Sequence, residues 1–124
     1  MSLLESGENY LEVIYRLSKT QAEIHAIDIV NDLGFSKPSV SIALKKLRDD
    51  QYITIDSYSH IHLTEMGFAI AKKVYERHEV LTNLFIKLGV NADIAEADAC
   101  KIEHDLSDET FDAIKKFYEE KIGD

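Results

Sequence analysis

The chain contains one proline, Pro38, within Leu33–Leu47, "LGFSKPSVSIALKKL". A proline is tolerated in a helix only in the first turn, where its missing N–H costs no hydrogen bond. A helix must therefore start beside it, with Ser36 as N-cap. Gly34 suits the left-handed residue that closes a preceding helix. Upstream, Ile27, Val30 and Leu33 place a short helix over Ala26–Leu33. Downstream, Val40, Ala43, Leu44 and Leu47 form one apolar face, leaving Ser39, Ser41, Ile42, Lys45 and Lys46 outward. The spacing predicts two helices joined by a tight turn.

The rest of the pattern builds around this pair. Leu4, Leu11, Ile14 and Leu17 predict an amphipathic helix from about Ser2 to Lys19. In "YITIDSYSHIHLT", Ile53 and Ile55, then Ile61 and Leu63, alternate with polar residues about a polar turn, which predicts a hairpin. Thr64 caps a long helix to about Leu88, with an apolar stripe of Ala71, Val74, His78, Leu81, Phe85 and Leu88. A fifth helix follows from about Ala92 to Asp105. Ser107 caps a sixth, with Phe111, Ile114, Tyr118 and Ile122 inward. The expected fold is mainly α: a winged helix-turn-helix over residues 1–70, then an all-helical domain over 71–124.

Taken alone, the net charge of −9 opposes nucleic-acid binding. Its distribution does not: residues 1–90 carry 12 acids and 10 bases, whereas 91–124 carry 11 acids and 4 bases. Between Gly34 and Arg48 there are only cations, Lys37, Lys45, Lys46 and Arg48. A Debye length of about 8 Å screens them from distant carboxylates. In a winged helix-turn-helix the second helix enters the DNA major groove. Ser36, Ser39 and Ser41 offer hydroxyls to phosphates or bases, Pro38 sets the helix start, and Lys37, Lys45 and Lys46 release counterions. Ile42 either meets a thymine methyl or is a lone exposed apolar side chain. His60 and His62 share one side of a hairpin strand. As a metal pair they need further ligands, so they read better as a wing brushing the DNA backbone.

The stretch "ACKIEHDL" holds the only cysteine, which excludes an internal disulfide and suits a reducing cytoplasm. On a helix Cys100, Glu103 and His104 share a face and form half of a transition-metal site. His78 is the best residue to close it, being a histidine within an apolar stripe. Glu12 lies one position from the first helix's apolar line, and Asn9 adds an amide oxygen. Such donors suit Fe²⁺ or Mn²⁺. Each residue alone has a plainer reading: His78 as a core histidine, Cys100 as a small buried hydrophobe. No apolar run reaches the length of a membrane span, and nothing marks an open substrate pocket, so neither a membrane protein nor an enzyme is expected.

"NYLEVIYRL", "LGFSKPSVSIALKKL", "HIHLTEMG", "VYERHEVLTNLFIKLGV" and "ACKIEHDLSDE" resemble, in order and spacing, the diphtheria-toxin-repressor family of metal-dependent regulators. The resemblance implies a cytoplasmic homodimer that binds double-stranded operator DNA when Fe²⁺ or Mn²⁺ is bound, repressing metal-uptake genes. It puts Glu12, His78, Cys100, Glu103 and His104 on the family's ligand positions. Asn9 falls where the iron branch has Met and the manganese branch Asp, and Cys100 matches the iron branch. Glu96 stands where the iron branch has His, and Thr82 where members often have Glu, so an ancillary site is altered. Phe111, Ile114, Tyr118 and Ile122 are candidates for the dimer surface, with intrachain packing as the alternative. The competing function is a winged-helix regulator answering to a small organic ligand.

Overall fold

The computed structural model describes residues 5–121. The chain forms α1 (Glu5–Ser18), α2 (Ala26–Leu33), α3 (Lys37–Asp49), β1 (Ile53–Ile55), β2 (Ile61–Leu63), α4 (Glu65–Lys87), α5 (Ala92–Ile102) and α6 (Asp108–Lys121). It divides into two compact units, Met1–Lys73 and Val74–Asp124. The architecture is the mainly helical one expected. Among the described residues, no helix is long and apolar enough to cross a membrane.

In the first unit, α1, α2 and α3 enclose Leu11, Ile14, Ile29, Val40, Leu44 and Leu47, all buried. Each such side chain contributes about 1.5–3 kcal/mol through removal from water. The turn between α2 and α3 follows the punctuation of the sequence. Gly34 adopts φ 75° and its N–H donates to the Val30 carbonyl. Ser36 is extended, and its Oγ accepts from the Ser39 N–H at 3.2 Å, with Pro38 in the first turn.

The wing is a two-stranded antiparallel hairpin in which Ile53 pairs with Leu63 and Ile55 with Ile61. The Ile61 N–H donates to the Ile24 carbonyl at 2.8 Å, tying the hairpin to the segment before α2. Thr64 starts α4. Its Oγ accepts from the Gly67 N–H at 3.1 Å and donates to the Gln51 and Tyr52 carbonyls. Gly67 must lack a side chain, since a Cβ there would collide with the Tyr52 carbonyl oxygen.

The second unit buries Val74, Arg77, Leu81, Ala95, Ala99, Glu103 and Phe111. Asn91 Oδ1 caps α5 by accepting from the Asp93 and Ile94 N–H groups. The structure corrects the far end of that helix. α5 stops at Ile102, so Glu103 is its C-cap and His104 lies in the turn. Arg77 holds the turn that follows: its Nη1 donates to the carbonyl of the C-cap Glu103 (3.0 Å) and to that of Leu106 in the turn (2.6 Å). Nη2 meets Asp108 Oδ1 at 2.6 Å, so one guanidinium pins the whole α5–α6 turn. Ser107 then caps α6, accepting from the Thr110 N–H at 3.1 Å.

Two details differ from the apolar pattern. Leu88, placed by periodicity at the end of the α4 stripe, lies past the helix end and is 69% exposed. Phe111 is buried beneath the Arg77 guanidinium, 5.2 Å from the ring centroid, so it packs within its own unit. Ile114 and Tyr118 are half-buried, and Ile122 lies outside the described residues.

Candidate functional site

The second unit holds a carboxylate in an unusual position. Glu103 is wholly buried, and among the described residues neither of its oxygens accepts a hydrogen bond. Its nearest partners are imidazoles. His78 Nδ1 stands 3.2 Å from Oε2, and His104 Nε2 stands 3.7 Å from Oε1. The His104 side chain is 2% exposed and that of His78 20%. Glu96 reaches this group from the solvent side, its Oε1 4.0 Å from His78 Nε2.

Leaving a buried acceptor without a donor costs about 1–3 kcal/mol, and more for a charged one. Native structures explain such groups by a missing water or ion. A carboxylate between two imidazole nitrogens is a donor set for a divalent transition metal. The residues present therefore fit such an ion, with the orphaned Glu103 oxygens as the physical sign.

The local sequence explains the arrangement. His78 lies on the same α4 face as buried Val74 and Leu81, which turn it toward the unit's interior. The turn held by Arg77 carries Glu103 and His104. Arg77 is the positioning residue that sequence reasoning missed; its only signal was being the sole arginine after Arg48, directly before His78. One turn beyond His78, Thr82 Oγ1 is also buried without a hydrogen-bond partner among the described residues.

The structure thus gathers His78, Glu103 and His104, with Glu96 at the rim. Cys100 stands one turn before Glu103 on α5 but is exposed, whereas Glu103 is wholly buried. Asn9 and Glu12 belong to α1 of the first unit, both half-buried, on either side of buried Tyr10 and Leu11.

The first unit presents a second functional surface. On α3, Val40, Leu44 and Leu47 are buried, whereas Lys37, Pro38, Ser39, Ser41, Lys45 and Lys46 are exposed and Ile42 is 70% exposed. Ser36 Oγ, besides capping the helix, donates to Ser39 Oγ at 2.9 Å. In the wing turn, Asp56 accepts from the N–H groups of Tyr58 and His60. A hydrogen bond from His62, together with those N–H groups, holds the Asp56 carboxyl down at about 2.

The family model described as "Iron dependent repressor, N-terminal DNA binding domain" matches residues 2–61, and that described as "Iron dependent repressor, metal binding and dimerisation domain" matches 64–121. The transcriptional regulator MntR of Escherichia coli O157:H7 is 34% identical over 110 residues, covering 89% of this chain and 71% of that protein.

The chain belongs to the iron-dependent repressor family.

An uncharacterised HTH-type transcriptional regulator of Methanocaldococcus jannaschii matches this family member along nearly its whole length, 34% identical over 93% of this chain and 94% of that protein. Among solved structures, the manganese regulator SloR superposes with a TM-score of 0.80 at 29% identity. The metal-dependent transcriptional regulator MtsR gives 0.82 at 26%. These alignments cover 96% and 91% of this chain, which spans 55% and 53% of those two longer chains. The family read from the sequence motifs is confirmed, as is the winged helix-turn-helix followed by a helical domain.

Proposed function

We propose that the chain is a transcriptional repressor of metal-uptake genes that grips operator DNA as a homodimer when a divalent cation, Fe²⁺ or Mn²⁺, is bound. The observation carrying this reading is the buried Glu103 carboxylate, without hydrogen-bond donors and flanked by His78 and His104. His78, Glu103 and His104 are assigned as ligands. Glu12 and Cys100 complete the set by their family positions, with Asn9 and Glu96 as further donors. A bound cation would supply the positive charge that the buried carboxylate lacks.

Each remaining role falls to the chain itself. Arg77 keeps Glu103 and His104 on a fixed turn, so little ordering is left to be done on binding. On α3, Ser36, Lys37, Pro38, Ser39, Ser41, Ile42, Lys45 and Lys46 form the DNA-reading face, the lysines taking phosphates and Ile42 an apolar base edge. A dimer must hold two such helices about 34 Å apart to meet successive major grooves.

The dimer surface is reassigned by burial. Phe111 is occupied within its own unit, whereas Leu84, Leu88, Ala113, Ile114 and Phe117 line an open groove of about 550 Å³, and Phe117 is 54% exposed. A second copy is the occupant, because this groove lies within the segment matched as a dimerisation domain. Tyr118 remains a candidate with it, as does Ile122, which lies outside the described residues.

The test is an anaerobic DNA-binding titration at fixed salt with Fe²⁺, Mn²⁺, Zn²⁺ or chelator. Metal is expected to raise operator affinity about 5- to 150-fold, the usual range of coupling between sites. Equal affinity with metal and with chelator would reject the switch and favour a regulator of another ligand.

A further inference from the structure

The wing carries a second group of donors, remote in sequence from Glu103. β1 and β2 pair with Thr54 opposite His62 and Ile55 opposite Ile61. The next step outward places Asp56 opposite His60, joined by the Asp56 N–H to the His60 carbonyl at 3.0 Å. Side chains on paired strands alternate between faces. Asp56, His60 and His62 therefore emerge together, on the face opposite buried Ile61.

Both rings stand against one carboxylate oxygen. His62 Nε2 lies 3.0 Å and His60 Nδ1 3.5 Å from the same oxygen, Asp56 Oδ2. The other oxygen, Oδ1, accepts the Tyr58 and His60 N–H groups at 2.9 and 3.0 Å, which fixes the carboxylate with Oδ2 turned to both rings. Behind His60, Nε2 lies 3.4 Å from Glu23 Oε2. The His25 ring meets His60 edge-on at 4.7 Å and limits its rotation. Two histidines two residues apart on one strand form an incomplete ligand set; Asp56 is the third donor, which the sequence alone did not point to.

We propose that Asp56, His60 and His62 form a second divalent-cation site on the wing, of the class that favours imidazole, with Zn²⁺ as its representative. Two imidazoles and one carboxylate are a recurrent Zn²⁺ set that leaves a fourth position to water. Glu23 is a positioning residue. A carboxylate 3.4 Å from His60 Nε2 favours the tautomer protonated there, which turns the Nδ1 lone pair to the cation. His62, 54% exposed, turns inward without displacing packed neighbours. Occupancy ties the two ends of the turn together.

The test is a Zn²⁺ titration of the full chain, followed by calorimetry and by the ring nitrogen resonances of His60 and His62. In the wild type both resonances are expected to shift. His62→Ala, at an exposed position, should lose one Zn²⁺ per chain while keeping its unfolding midpoint, and Glu23→Gln should weaken that Zn²⁺ about 10- to 100-fold. His60→Gln is the second removal variant. The same titration in Glu103→Gln separates the two centres, since that substitution touches only the buried one. Wing resonances that shift there sustain the proposal whatever happens at Glu103. Unmoved His60 and His62 signals, with unchanged stoichiometry in both removal variants, would overturn it.

Discussion

Glu103→Gln should reverse its effect on stability according to whether metal is present. Among the described residues the buried Glu103 oxygens accept no hydrogen bond, although imidazole nitrogens stand 3.2 and 3.7 Å away. Glutamine is nearly the same shape, and its amide brings N–H donors to those nitrogens. Relieving one stranded buried acceptor is worth about 1–3 kcal/mol. For a chain of 124 residues each kcal/mol moves the unfolding midpoint by about 4 °C. In chelator the variant should therefore melt about 4–12 °C higher than wild type. With a cation at about 100 times its dissociation constant, the wild type gains about 2.7 kcal/mol from binding, and the variant forfeits most of it. Thermal melts followed by circular dichroism in EDTA and in Mn²⁺ would show the two curves changing order. A variant less stable than wild type in EDTA would refute the reasoning, because it would mean that the carboxylate is well satisfied without a cation.

Other substitutions probe the supports of the site. Arg77→Ala removes the donor to the Glu103 and Leu106 carbonyls and should cost about 1–3 kcal/mol in denaturant unfolding, with metal affinity falling in parallel. Gly67→Ala drives a methyl group into the Tyr52 carbonyl and should destabilise the first unit by about 1–3 kcal/mol, read by amide exchange in the wing. In chelator the wing should also loosen in acid. The folded Asp56 pKa is depressed to about 2, so its stabilising contribution is complete above the unfolded carboxyl range and is lost as pH falls from about 4 to 2. Exchange of the Tyr58 and His60 amides should accelerate across that window, and Asp56→Asn should flatten the dependence.

Much of the fold was legible because its signals are local. Gly34, Ser36 and Pro38 punctuate two helices whatever surrounds them, and Ile53, Ile55, Ile61 and Leu63 alternate with the period of a strand. The end of α5 was less visible. The apolar and polar spacing runs smoothly past Ile102, whereas the turn after it is held by a guanidinium from α4, a contact distant in sequence. Cys100 was expected on the buried face with Glu103 and is exposed instead.

The candidate site was readable to a similar depth. His78 stood out as a polar residue in an apolar stripe, and the structure sets it against Glu103. The α6 stripe left Phe111 open between a dimer surface and intrachain packing, since periodicity shows that a face is apolar but not whether its own unit or a second copy covers it. Arg77 supplies that cover, through a contact between residues far apart in sequence. On the wing, the pairing of Asp56 with His60 depends on the register of a six-residue strand pair, which turn composition alone did not fix.

The central claim is that a buried carboxylate and two histidines of the second unit hold a divalent cation. Pulsed electron paramagnetic resonance of the Mn²⁺-loaded chain, in His62→Ala to silence the wing, tests it most directly. The spectrum should show hyperfine coupling to two imidazole nitrogens, falling to one in His104→Ala or His78→Ala. Bound Mn²⁺ without nitrogen coupling, or coupling unchanged by both substitutions, would contradict the account.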